Sequence, residues 1–149
     1  MEAPNHPIVR ICPASPVGRA ISERLGAAGL RLTRQRTALA GLLFGNGHRH
    51  VTADVLHAEA KAIGEEVALA TVYNVLRQFT EAGLLRELAV EPGRSHFDTN
   101  TSNHNHYYIE SKGLLLDIPD EEIYIAGLPD APEGMRIGAI DVIVRLVEA

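Results

Sequence analysis

The chain has 149 residues, 46% hydrophobic and 22% charged, with a formal net charge of −5 at pH 7. That is room for one ordinary domain or two small ones, and the composition is globular rather than disordered. A bilayer span, a signal peptide and an internal disulfide all lack their sequence marks, so a cytoplasmic protein with no membrane partner is expected.

Residues 1–16 hold four of the eight prolines and no periodic pattern, which reads as a mobile arm. Within it, Cys12-Pro13 fits either an unpaired thiol or a thiolate that ligates haem. Residues 17–29 read as a first helix, ended by Gly29. A second spans 33–46, with Thr33 as N-cap, Ala38, Leu39, Leu42 and Leu43 inward, and Gly45-Asn46-Gly47 as its break. Thr52 caps a third helix, which runs to Ile63 and stops at Gly64.

The fourth segment, 67–83, is the most telling. Leu69, Val72, Tyr73, Leu76 and Phe79 recur at three- and four-residue spacing and form one apolar stripe. The other face carries Ala70, Thr71, Asn74, Arg77 and Gln78, short or planar groups suited to base edges and phosphates. Gly83 stops the helix, and two β-like segments follow, 84–90 and 95–98, around the turn Glu91-Pro92-Gly93-Arg94. Helix, glycine, hairpin is the order of a winged helix-turn-helix, whose last helix enters the major groove; it also fits a core helix beside a hairpin. Residues 17–98 thus make a candidate DNA-binding domain.

After a polar connector at 99–103 the period changes to two. Segments 106–110 and 114–118 flank the hairpin loop Ser111-Lys112-Gly113, and 136–147 alternates with Ile140, Val142, Val144 and Leu146 on one face. Three strands cannot bury a face alone, so a homodimer is expected. The expected fold is α+β: an N-terminal winged helix-turn-helix, then a small α/β dimerisation and ligand-sensing domain at 99–149 with a three-stranded antiparallel sheet.

Charge is divided along the chain. Between Arg10 and His50 there are seven arginines against one acid, whereas 101–149 holds three bases and nine acids. A basic half facing DNA accounts for this, as does a merely solvated basic face.

His104-Asn105-His106 places two imidazoles on one side of an extended chain, as two surface histidines or as ligands of a metal or haem. With His50 at the start of the third helix and Asp98 at the end of the wing, they make an N/O donor set for Zn²⁺, Mn²⁺ or Fe²⁺. No additional clustered acid or base accompanies them, which disfavours a metal-dependent enzyme fused to a DNA-binding module. His48, His57 and His96 have no obvious partners.

Leu30-Arg-Leu-Thr-Arg-Gln-Arg, Leu69-Ala-Thr-Val-Tyr-Asn-Val-Leu and Gly83-Leu-Leu together resemble the ferric uptake regulator superfamily. Arg94-Ser-His-Phe-Asp-Thr-Asn, His104-Asn-His-Tyr-Tyr and Arg136-Ile-Gly-Ala-Ile-Asp-Val-Ile-Val-Arg-Leu resemble its iron response regulator branch. The resemblance implies a homodimeric repressor or regulator of iron and haem metabolism genes on an A·T-rich inverted repeat. It implies that Tyr73 belongs to the recognition helix, that Arg31 reaches the minor groove, and that His50, Asp98, His104 and His106 form a metal site linking the two domains. It also implies haem as a signal, bound at the histidine motif; because Cys12 lies in the expected mobile arm without its usual neighbours, His104 or His106 is expected as axial ligand ahead of it. The alternative is a sensor of Mn²⁺, Zn²⁺ or Fe²⁺ with no haem role.

The chain departs from the superfamily pattern at three places. The Cys-x-x-Cys zinc pair falls on Ile109 and Lys112, which excludes a Cys₄ zinc. A second metal site is replaced by non-ligands that include Asn103, Asn105 and Tyr124. The N-terminal haem motif of some branch members reads Ile11-Cys12-Pro13-Ala14-Ser15, keeping the cysteine and proline but losing the histidine.

Overall fold

The computed structural model describes residues 7–119 and 122–149. Its elements are α1 (Pro16–Ala27), α2 (Arg34–Phe44), β1 (His50–Val51), α3 (Ala53–Ala62), α4 (Leu69–Glu81), β2 (Arg86–Glu91), β3 (Arg94–Asp98), β4 (Asn105–Ile109), β5 (Leu114–Ile118) and β6 (Ile143–Leu146). They form two compact units that part between Thr101 and Ser102. Thr99, expected in the connector, belongs to the first unit because its N–H donates to the Arg49 carbonyl at 3.0 Å.

In the first unit, helix starts follow hydroxyl caps. The side chains of Ser15, Thr33 and Thr52 accept from the N–H groups of Gly18, Arg36 and Val55, each satisfying a donor the helix cannot. Inward residues of the four helices, among them Leu25, Leu39, Leu43, Leu56, Val72, Leu76 and Phe79, share one core with Phe97 of the wing. The wing is antiparallel in the order β1-β3-β2. Strand β1 has only two residues and lies opposite the end of β3, His50 facing Asp98.

The expected mobile arm is packed against this unit over residues 10–15. Arg10 donates to the Glu65 carboxylate at 2.7 Å and to the Ile63 carbonyl at 2.6 Å. Ile11 lies against the core beside Gly41 and Gly45, in a notch that exists because those two positions lack side chains. The Ser15 N–H donates to the Cys12 carbonyl at 3.0 Å. Proline content signalled the absence of periodicity, but contacts with distant glycines hold the segment.

The second unit has the sheet order β5-β4-β6. Strands β4 and β5 pair antiparallel as expected, whereas β6 runs parallel to β4 on its other edge, making the sheet mixed. The chain reaches that edge through the long connection 119–142, the kind of crossover that parallel pairing requires. Among its described residues the connection has no α-helix, so the helical part of the expected α/β domain is not found there. Pro119, Pro129 and Pro132, with Gly127 and Gly134 at φ 72° and 79°, account for this. The alternating segment 136–147 is a strand only over Ile143–Leu146.

Candidate metal centre and nucleic-acid interface

The pairing of β1 with β3 sets two of the expected ligands together. His50 Nε2 lies 3.1 Å from Asp98 Oδ2, while Asp98 Oδ1 accepts from the Asn100 N–H at 2.8 Å. Asp98 is only 1% exposed. A carboxylate so buried is stable only when its oxygens are held by donors or a cation.

In the second unit, His106 of β4 stands opposite Asp117 of β5. Asp117 Oδ1 is 3.2 Å from His104 Nε2 and 3.4 Å from His106 Nε2, and the two rings lie 4.4 Å apart. His104 Nδ1 is 2.7 Å from the Ser102 carbonyl. A carbonyl only accepts, so Nδ1 carries a proton and Nε2 is the nitrogen that faces the Asp117 carboxylate, a contact that calls for a proton or a cation between the two atoms. Nδ1 anchored on a carbonyl with Nε2 aimed at the site is the usual orientation of a metal-ligating histidine. The donors are imidazole and carboxylate, which fit Zn²⁺, Mn²⁺ or Fe²⁺.

Asp117 was not anticipated. The expected loop 111–113 pairs 110 with 114 and so sets 106 against 118; in the structure the turn also takes in Glu110, Ile109 pairs with Leu114, and the shifted register brings His106 against Asp117. Cys12 is exposed in the first unit, and His104 and His106 are buried. His96 is buried, not unpartnered: Glu91 lies 3.4 Å from its Nε2, and burial pushes its pKa down against the pull of that carboxylate.

On α4 the buried residues are Val72, Val75, Leu76 and Phe79. Tyr73, expected in the apolar stripe, is 46% exposed, and Leu69 is also at the surface. The stripe is therefore narrower and turned toward Val75, which leaves Tyr73 beside Asn74 and Arg77 on the exposed face. Thr71 is half-buried, and Arg31 is exposed just before α2. Arg36, which sequence reasoning passed over, links the two regions: it donates to the Arg31 carbonyl at 2.5 Å and to Gln78 Oε1 of α4 at 2.6 Å. Ala68, the N-cap of α4, provides no side-chain cap.

A winged helix with an exposed polar recognition helix is a DNA-binding class of fold. The model of the ferric uptake regulator family matches residues 27–137, and the chain belongs to that family. Over 93 residues it is 38% identical to the peroxide-responsive repressor PerR of Staphylococcus aureus (strain Mu50 / ATCC 700699), covering 62% of each chain. The ferric uptake regulator from Pseudomonas aeruginosa with manganese matches at a TM-score of 0.66 and 26% identity, over 85% of this chain and 96% of that one. The ferric uptake regulator of Vibrio cholerae matches at 0.67 and 27%, over 83% and 96%.

Proposed function

We propose that the chain is a homodimeric, metal-responsive transcriptional regulator that binds double-stranded DNA through Arg31, Thr71, Tyr73, Asn74 and Arg77. His50, Asp98, His104 and His106, with Asp117 added, would hold one divalent ion per subunit. The observation that carries the reading is the His104 ring, tied at Nδ1 to a carbonyl so that Nε2 meets the Asp117 carboxylate. The six-residue step from Asp98 to His104 keeps the two sets of donors within about 20 Å of chain reach. When bound, the ion supplies the positive charge that this donor set lacks. The relatives' names agree: ferric uptake regulators, one with manganese, and a repressor responsive to peroxide. Large apolar side chains exposed in the second unit, Tyr124, Met135 and Val147, support a homodimer.

The test is equilibrium dialysis of metal-free protein against Mn²⁺, Fe²⁺ and Zn²⁺, with DNA affinity measured before and after loading. His106→Ala and Asp117→Asn should lower metal affinity by well over tenfold and abolish the change in DNA affinity. Unaltered metal binding in both variants would overturn the site.

The finer reading makes the chain an iron response regulator with haem as a second signal. Burial of His104 and His106 against exposure of Cys12 favours the thiolate as the first axial ligand, reversing the order expected from the sequence.

A further inference from the structure

We propose that the buried Arg49–Glu59 pair is a positioning device that couples the His50–Asp98 ligands to the DNA-reading helices. The inference rests on the metal-responsive reading above.

Arg49 immediately precedes His50. Its N–H donates to Thr99 Oγ1 at 2.9 Å and its carbonyl accepts from the Thr99 N–H at 3.0 Å. Residues 49 and 99 thus clamp together one step from where His50 faces Asp98. The Arg49 side chain then runs the other way, into the helices. Its guanidinium forks onto Glu59 of α3, with Nη1 to Oε1 and Nη2 to Oε2 both at 2.6 Å, and Nη1 also reaches the Leu42 carbonyl in α2 at 3.1 Å. The two side chains are 11% and 9% exposed.

One residue therefore binds the strand carrying the ligands, the last turn of α2, and α3, which itself packs on α4. A forked guanidinium–carboxylate pair has a single orientation, so shifting β1 against α3 must break two charge-assisted bonds together. Stability alone does not explain the pair, because desolvating two charges offsets most of their attraction and an apolar pair would serve as well. The buried Arg49 Nε finds no hydrogen-bond partner, a further cost of keeping the guanidinium there. What the fork adds is fixed geometry. An ion that draws His50 and Asp98 together acts through it on α2 and α3, and so on the recognition helix.

The test compares the full-length wild type with the double variant Arg49→Met, Glu59→Leu, which keeps the volume and removes both charges. A duplex is selected from random-sequence DNA by the Mn²⁺-loaded wild type. Its affinity is then measured for each protein with Mn²⁺ and with chelator. The double variant should bind Mn²⁺ within a few-fold of wild type and bind DNA equally well in chelator. The enhancement by Mn²⁺, an allosteric coupling of typically 5–150-fold, should fall at least fivefold. Arg49→Lys, which keeps the charge but loses the fork, should show the same loss and decides the matter if the double variant does not fold. A merely structural pair would lower thermal stability and both DNA affinities together, leaving their ratio intact. Wild-type enhancement in the variants overturns the coupling role alone. No Mn²⁺ enhancement in the wild type overturns the metal-responsive reading and this inference with it.

Discussion

The docking of the N-terminal segment on α2 predicts an energetic coupling between Ile11 and Gly45. A Cβ added at Gly45 would lie 2.8 Å from Ile11 Cγ1, 2.9 Å from Ile11 Cδ1 and 2.5 Å from the Gly41 carbonyl. Crowding of that kind costs about 1–3 kcal/mol. Ile11→Ala removes three carbons from a half-buried position, worth about 1 kcal/mol at about 0.8 kcal/mol per fully buried methylene. In the double variant the clash with Ile11 is gone while the clash with the Gly41 carbonyl remains, so the latter cancels in the cycle. Gly45→Ala should therefore cost about 1–2 kcal/mol less in the Ile11→Ala background than in wild type, within the range found for contacting residues. At roughly 4 °C per kcal/mol for a chain of this length, the difference reads as about 4–8 °C in thermal unfolding followed by circular dichroism in chelator. A coupling below about 0.5 kcal/mol would mean that residues 10–15 are not held in the glycine notch, and would refute the packing.

Three further outcomes are expected. Arg31→Ala and Tyr73→Ala should each weaken DNA binding, and Arg31→Ala should flatten the slope of log affinity against log salt by about 0.9 if it neutralises one phosphate; anisotropy titrations at several salt concentrations that show wild-type slope and affinity would remove both from the interface. Hydrogen bonding from Arg10, aided by the charge of Arg34 and opposed by burial, holds the Glu65 carboxyl below 4.5. Its contribution is full above that value and is lost as pH falls through the folded-state pKa, because the unfolded chain takes the proton first. Arg10→Met should therefore lower stability near neutrality and flatten the decline below about pH 4.5, and urea curves that stay parallel to wild type through the acid range would contradict this. Cys12→Ala should lose the haem absorption band that the double variant His104→Ala, His106→Ala retains; the opposite pattern would return haem to the histidines.

Much of the first unit was legible because its signals are local. Thr33 and Thr52 cap the helices they were expected to cap, and Gly83 follows α4 at φ 78°. Strand β1 was not legible: two residues cannot show an alternation, and His50–Val51 becomes a strand only through its register with β3. The parallel course of β6 was hidden for a related reason, since a period of two reports which residues share a face and not which way the strand runs. Tyr73 was misjudged because an aromatic at helical spacing counts as apolar, although neighbours on the fold decide how wide the buried face is. At the candidate site, the donor residues were visible as types, but Asp117 was not, because the expected three-residue loop sets the hairpin register one residue away from the pairing found. The guanidinium links of Arg36 and Arg49 had no sequence signal, because each spans elements that only tertiary packing brings together.

The parallel edge position of β6 bears on how the protein is made. Residues 143–146 leave the ribosome after every other strand of their sheet, and at about 5–20 residues per second the interval between completing residue 109 and residue 146 is roughly 2–7 s. Through that interval a nascent chain has a finished winged helix while β4, which carries His106, still lacks one neighbour. An unpaired edge is a template for another chain, and adjacent ribosomes on one message hold other copies in the same state. Order of synthesis thus sets a window in which β4 can join the wrong strand, and the speed with which 119–142 delivers β6 determines how long it stays open.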